Sequence, residues 1–226
     1  TPTTSSAASD VYKRQNARDL FKAAYEHRYT WDLNFPGCSA DIELKQGSEI
    51  YNGQICIKSD FSVEVTGIPD EEVQQSVYTQ LRDVVTHRKR SSFEKSHGKN
   101  SFRLGHKDDT GAVEILVEGD AMGSNYKVRG QEICLVSRVM GRMAFVINTH
   151  KTLETSDGCI ATHYNAIFRN PQTNEVIREL EFEDSYEKFG NYYIMTSQVV
   201  NSTEKGQKTT TEFNYSNMKL LEPAVV

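Results

Sequence analysis

A long stretch of period-two alternation between apolar and polar residues constrains this chain most. It begins near Ser91 and continues to about Leu220. Within it Val176, Leu180 and Phe182 share one strand face, while Glu179, Glu181 and Glu183 fall on the other. Turn clusters rich in Gly, Asn, Asp and Pro separate the segments. This pattern is typical of antiparallel strands that have one wet face, and it predicts a large meander sheet.

Two helical patterns precede that stretch. Apolar residues recur at helical spacing from about Asn16 to His27, and again from about Asp70 to His87, where Pro69 and three acids suit a helix start. Residues 40–57 read as a hairpin, and Ser92–Ser96 as a strand. The predicted fold is therefore α+β and mostly β. We expect a large curved antiparallel meander, a half-barrel, with two helices, the longer of which (70–87) covers the concave face.

Domain organisation follows from the absence of a Gly/Ser/Pro linker after residue 15. Residues 1–15 have no periodic apolar pattern and are predicted to be a disordered tail or a sequence-assembly scar. A single curved-sheet domain is predicted for residues 16–222, followed by a tail at 223–226.

Composition narrows the class of protein. The chain has 226 residues and a net charge of −5, and no apolar run is long enough for a transmembrane helix. Its four cysteines form no C-x-x-C pair, which argues against a zinc ribbon. No secretory signal pattern is visible at the N-terminus, so a cytoplasmic location is expected.

The segment from His87 to His106 has an unusual charge, with six basic residues against the single acid Glu94. It can be a solvated basic strand edge, or an anion-binding rim in which Arg88 and Arg90 grip a head group. Alternatively, His87, His97 and His106 can form a metal site, although their spacing matches no compact ligand motif.

No motif fixes a reaction. The sequence has no nucleophile elbow, no H-E-x-x-H, no Walker loop and no dinucleotide fingerprint. Whether the protein is an enzyme, and whether it uses a cofactor, is left open at this point.

A curved sheet with a helix across it leaves an apolar volume, so we expect a binding protein for an amphipathic hydrophobic ligand: a lipid, an isoprenoid or a pigment. The expected contacts come from the long helix, the basic segment and the aromatic residues: Arg88, Arg90, Leu81, Val85, Phe93, Trp31 and Tyr164.

Three segments resemble a known family. They are the run from Ala17 to Gly37, the run Val84–Asn100, and Phe182-Glu-Asp-Ser-Tyr-Glu-Lys-Phe-Gly-Asn-Tyr-Tyr-Ile. Together they are similar to the cyanobacterial family called domain of unknown function 3386, over about residues 16–222. The resemblance implies a photosynthetic organism, with the plastid stroma as the location in a eukaryotic alga. It implies no catalytic residues.

The order helix, hairpin, helix, meander is also similar to the half-barrel of LolA/LolB-type bacterial lipoprotein carriers, a likeness of fold that does not transfer function. Two alternatives remain beside ligand binding. One is a histidine-dependent metalloenzyme, and the other a photosynthetic assembly factor that binds an acidic protein partner through its basic segment. Nucleic acid is not favoured as a partner, because the chain is acidic and lacks a nucleic-acid-binding motif.

Overall fold

The computed structural model describes residues 4–119 and 124–222, and three helices lie within them. Helix α1 is Thr4–Glu26, α2 is Glu71–Arg88 and α3 is Phe93–His97. The second helix agrees closely with the prediction. Its N-cap is Asp70, whose carboxylate accepts the backbone N–H groups of Glu72 and Val73 at 3.0 Å each.

The short α3 replaces the strand predicted at Ser92–Ser96, and that prediction is wrong. Ser92 caps the helix by accepting the Lys95 backbone N–H, and Phe93 and His97 are buried one helical turn apart. Capping by serine and burial of an i, i+4 pair therefore override the local alternation. Helix α1 also differs, because it begins at Thr4 and with 23 residues is longer than the 18-residue α2.

Twelve strands make up most of the residues that the structure describes. They follow in sequence as β1 (Gly37–Gln46), β2 (Glu49–Lys58), β3 (Val63–Thr66), β4 (Ser101–Lys107), β5 (Val113–Glu118), β6 (Ser124–Arg129), β7 (Glu132–Met140), β8 (Met143–Thr155), β9 (Gly158–Arg169), β10 (Val176–Phe189), β11 (Tyr192–Glu204) and β12 (Gln207–Leu220). Their order in the antiparallel sheet is β3-β2-β1-β12-β11-β10-β9-β8-β7-β6-β5-β4. The predicted α+β, mostly β meander is confirmed.

Backbone contacts divide the chain into two compact units. The first unit comprises the chain up to Tyr29 together with Ser91–Glu179, and the second comprises Thr30–Arg90 together with the chain from Leu180. A contact unit need not fold alone, so the single domain predicted for residues 16–222 stays a prediction. Residues 223–226 lie outside the described residues.

The first unit has an aromatic core between α1 and the sheet. Helix α1 contacts β4, β6, β7 and α3. Phe21 is fully buried, and its ring centroid lies 4.4 Å from that of Tyr126 and 5.3 Å from that of Phe102. Phe93 and Tyr25 complete the cluster. This core is filled by the chain's own aromatic rings.

In the second unit α2 runs across the strands. Gln74 donates a hydrogen bond to the Val65 carbonyl on β3 at 2.6 Å, Gln80 donates to Gln198 on β11, and Arg88 donates to the Tyr186 hydroxyl on β10 at 2.9 Å. Four side chains of α2 are buried beneath it: Val73, Val77, Leu81 and Val85. Polar contacts at three points along the helix therefore fix its direction across the sheet of this unit.

Candidate functional site

Trp31 and the end of α2 lie together in the second unit. The Trp31 backbone N–H donates to the Arg88 carbonyl at 2.6 Å, and the Arg90 N–H donates to the Trp31 carbonyl at 3.2 Å. The indole is 1% exposed, stacks on Phe35 at 4.2 Å and donates to the Tyr193 carbonyl at 3.1 Å. Trp31 is therefore enclosed by protein.

Arg88 and Arg90 have different surroundings. The Arg88 guanidinium donates to the Tyr186 hydroxyl and lies 5.1 Å from the centroid of that ring. Arg90 is exposed, and its Nε donates to the Thr30 hydroxyl at 3.1 Å. Arg88 is thus part of an internal contact, whereas Arg90 presents an exposed side chain just beyond the end of the helix.

The Arg88 contact belongs to a chain of polar side chains beneath α2. The Tyr186 hydroxyl donates to Asp184 at 3.3 Å, and Gln198 donates to the other Asp184 oxygen at 2.7 Å. Burial is the main cause that raises the pKa of Tyr186 to about 12. Asp184 and Gln198 are 8% and 1% exposed, so the network is internal. Its hydrogen bonds tie β10, β11 and α2 together.

Leu81 and Val85 are each 3% exposed beneath α2 in the second unit. Phe93 is 1% exposed in the aromatic core of the first unit, and Tyr164 is half-buried on β9, also in the first unit. The seven predicted contacts are therefore divided between the two units. Side chains of the protein itself cover Leu81, Val85, Phe93 and Trp31.

The three histidines of the basic segment have separate environments. His87 is exposed on α2 and His106 is exposed on β4, whereas His97 is buried against Phe21 and Tyr25, at ring distances of 5.1 and 5.0 Å. Within residues 4–119 and 124–222, no three His, Cys, Asp or Glu side chains are grouped so that they could hold a metal ion. The geometry therefore gives no support to a metal site formed by His87, His97 and His106.

Two open depressions of about 580 and 500 Å³ lie in the second unit on β1, β2 and β12, and the smaller one also includes residues of β3. The wall of the smaller depression is mainly polar, and charged and amide side chains line both, among them Asp41, Glu43, Asn52 and Gln54. Ligand pockets for apolar molecules are lined chiefly by hydrophobic side chains. These depressions are therefore poor candidates for the predicted hydrophobic ligand.

The sheet of the first unit offers a different surface. Strand register places Val136 opposite Ile147, and Ile147 opposite Ala166; it also places Arg138 opposite Phe145, and Phe145 opposite Phe168. Residues in such opposed pairs point to the same side of the sheet. We call this surface the β7–β9 face, formed by Val136, Arg138, Phe145, Ile147, Tyr164, Ala166 and Phe168.

The β7–β9 face continues the surface on which α1 packs. Val136 is opposite Tyr126, a member of the core beneath α1, and it packs against that core. Ala166 is buried on this face, but Phe145, Ile147 and Phe168 are only half-buried. An incompletely covered apolar sheet face is therefore present beside the filled core.

Arg138 is the one charged member of the β7–β9 face. Its Nη2 donates to the Tyr126 hydroxyl at 2.8 Å. Its Nε is enclosed and has no hydrogen-bond acceptor among the residues that the structure describes. A guanidinium has five N–H donors, so this cation is incompletely satisfied in an apolar setting.

The charge of Arg138 also affects His97. The pKa of His97 is lowered from 6.5 to about 4, chiefly by burial and then by the positive charges of Arg138 and Arg28. His97 is therefore neutral at pH 7, and its ring adds no positive charge to that of Arg138.

The sequence pattern alone does not single out Arg138. Arg138 is two residues from Val136 on β7, so the two side chains share a strand face. The alternation of residues along a strand cannot show which of its two faces α1 covers. A sequence signal for Arg138 does exist: it is a cation on the apolar face of its own strand, and the two following strands carry Phe145 and Phe168 at the positions in register with it.

Among the residues that the structure describes, no helix has both the length and the apolar character needed to cross a bilayer. The described residues define a mostly β, antiparallel protein with helices packed on its strands. The chain belongs to the family described as "Protein of unknown function (DUF3386)", whose model matches residues 12–221. This match confirms the resemblance found in the sequence.

The solved structures to which the chain is similar are distant. A DUF1329 family protein from Desulfovibrio piger has a TM-score of 0.26 and 10% identity, over 92% of this chain and 93% of its own. A putative outer membrane lipoprotein-sorting protein domain from Vibrio parahaemolyticus has a TM-score of 0.27 and 6% identity, over 91% and 92%. A chain of the Pseudomonas aeruginosa MucA/MucB complex has a TM-score of 0.24 and 11% identity, over 92% and 99%. No curated protein matches the sequence. These similarities give no basis for transferring a function.

Proposed function

We propose that this protein binds an amphipathic hydrophobic ligand with an anionic end, such as a lipid, an isoprenoid or a pigment, on the β7–β9 face. The observation that carries the proposal is the position of Arg138, a cation with an unsatisfied Nε among half-buried apolar side chains. The polar end of the ligand lies at Arg138, and its apolar part covers Phe145, Ile147 and Phe168.

The chemistry of the face favours such a molecule. A guanidinium binds carboxylate, phosphate or sulfonate groups through paired N–H donors. Covering half-buried aromatic and aliphatic side chains contributes about 25 cal/mol for each Å² removed from water. A ligand that supplies both groups therefore gains from charge pairing and from apolar burial at one place.

Charge on Arg138 is the feature to test. Decane-1-sulfonate serves as an anionic probe and decan-1-ol as a neutral probe of the same chain length, and both are titrated by calorimetry below their aggregation limits. Arg138→Gln should weaken sulfonate binding about tenfold or more, because a charge-assisted hydrogen bond contributes about 1.5–3 kcal/mol. Binding of decan-1-ol should change little.

Arg103→Gln is the matched control, since Arg103 is exposed on β4 between the buried Phe102 and the half-buried Leu104. It should leave binding of both probes unchanged. A bound sulfonate should also offset the positive field of Arg138 and raise the pKa of His97, which NMR titration of the imidazole measures. The proposal fails if wild-type protein shows no saturable sulfonate binding, or if Arg138→Gln binds it as tightly as wild type.

A further inference from the structure

Exposed apolar side chains cluster at one end of the sheet in the first unit. Val139, Met140 and Met143 flank the tight turn between β7 and β8 and are 53%, 62% and 43% exposed. Val176 and Ile177, each 40% exposed, begin β10 directly after the turn that follows β9. Both turns lie at the same end of the sheet, because Ala144 near the start of β8 is paired with Arg169 at the end of β9.

The charge at this end is positive although the whole chain carries −5. Residues 133–153 contain no Asp or Glu, and neither do residues 158–174. Arg142 lies in the exposed turn itself, Arg138 lies on β7 two residues before Met140, and Arg169 lies at the end of β9. Two acids lie near this end on β10 and the residue before it, Glu179 and Glu175, and Arg178 lies between them.

We propose that the β7–β8 turn, with Val139, Met140 and Met143 beside Arg142 and with Arg169 on the neighbouring strand β9, docks on an anionic lipid bilayer. The apolar tip enters the interface between head groups and acyl chains, and the arginines contact the anionic head groups. Methionine suits such a tip, because its flexible thioether adapts to an irregular apolar environment.

Strand register connects this tip to the β7–β9 face. Met140 is opposite Met143, and Arg138 is opposite Phe145. Met140 is two residues from Arg138 and Met143 is two residues from Phe145, so all four side chains lie on the same side of the sheet. An apolar strip therefore runs from the exposed turn to Phe145 and Ile147. Docking at the tip places this strip against the bilayer, although the docking proposal does not depend on a ligand being bound there.

The choice of a bilayer over a second copy of the chain or another protein rests on charge complementarity. A self-complementary contact would bring this arginine-flanked tip against its own copy, and like charges would oppose that contact. An anionic lipid surface instead offers negative charge around an apolar layer that can receive the tip.

Co-flotation with vesicles tests the proposal. Purified protein is mixed with vesicles of phosphatidylcholine alone or with added phosphatidylglycerol, and the bound fraction is measured at low and high salt. We expect binding to the anionic vesicles that falls as salt rises, because screening weakens exposed charge contacts. Arg142→Gln should weaken binding about fivefold, the effect of one arginine near an anionic surface.

Met140→Ser with Met143→Ser should weaken binding more than Arg142→Gln does. Ile50→Ser is the matched control, because Ile50 is 56% exposed beside the β1–β2 turn of the second unit but follows Glu49. It should bind like wild type. Thermal unfolding of each variant, followed by circular dichroism, establishes that it is folded.

The proposal is overturned if wild-type protein does not float with anionic vesicles, or if the methionine variant floats as well as the control. It is also overturned if sedimentation shows that the same methionines mediate self-association in place of lipid binding. Titration of the same samples with decane-1-sulfonate tests the ligand proposal separately. Protein that binds the sulfonate but does not float with vesicles contradicts only the docking proposal, and protein that floats but does not bind the sulfonate contradicts only the ligand proposal.

Discussion

Neutral His97 makes the stability of the first unit depend on pH. The ring is buried among Phe21, Tyr25 and Phe93, and a pKa lowered from 6.5 to about 4 means that the folded protein resists its protonation. The unfolded chain takes up the proton near pH 6.5. Above that pH both states are neutral and the ring has no effect on the pH dependence. As the pH falls from 6.5 towards 4, the unfolded state binds more protons and stability is lost.

The magnitude follows from the two pKa values. Each tenfold difference in proton affinity corresponds to about 1.4 kcal/mol. The free energy of unfolding should therefore fall by about 2 kcal/mol at pH 5 and about 3 kcal/mol at pH 4 through this ring alone. Such a loss is a large part of the total stability of a typical domain.

His97→Gln removes the titration and keeps a polar group near Asn100, whose side chain lies 3.3 Å from His97 Nδ1. Urea unfolding followed by circular dichroism at pH 7.5, 6, 5 and 4 gives the comparison. The variant starts less stable because packing is lost, but its stability should fall less steeply than that of wild type. His106→Gln, at an exposed site on β4, should keep the wild-type slope. Parallel pH profiles for wild type and His97→Gln would refute the reasoning.

Three further outcomes are expected. Phe21→Ala should reduce the free energy of unfolding by about 3–5 kcal/mol in urea, because it removes a fully buried ring, and a loss under about 1 kcal/mol would contradict the filled core. Asp70→Ala should lower the free energy of unfolding by about 1 kcal/mol in the same assay, because α2 loses its N-cap. Asp83→Ala is the control, since Asp83 is exposed within that helix, and it should leave the free energy of unfolding unchanged. Equal losses in the two variants would refute the capping argument. Burial, and after it the electrostatic interaction with Cys56, raises the pKa of the Cys38 thiol from 9.0 to about 12. At pH 8 iodoacetamide should therefore alkylate Cys38 about a thousandfold more slowly in the native protein than in urea, because the thiolate is the reactive form. Similar alkylation rates in the two states, measured by mass spectrometry, would contradict this prediction.

Helix α2 and the alternating strands were predictable because each follows a local pattern: a capping Asp70, a stripe at helical spacing, and period two in the strands. The short α3 was missed since its signals, a Ser92 cap and the Phe93–His97 pair, span barely one turn. The family resemblance was likewise readable from local motifs and is confirmed over residues 12–221.

The candidate site was harder to predict, because it depends on which residues are covered. Arg88, Trp31 and Phe93 looked available in the sequence, yet Arg88 bonds to Tyr186 and the two aromatic residues are 1% exposed. Arg138 drew no attention in the sequence, and register with Phe145 and Phe168 gave it an apolar setting.

By itself, the sequence determined the class of fold, the position of α2, most strands and the family, because periodicity, capping and turn chemistry act over a few neighbouring residues. Only the tertiary structure decided that Leu81 and Val85 are buried beneath α2 and Phe93 in the core beside α1, and that the β7–β9 face stays partly open beside Arg138. Burial and strand register join residues far apart in the chain, and no local pattern contains that information.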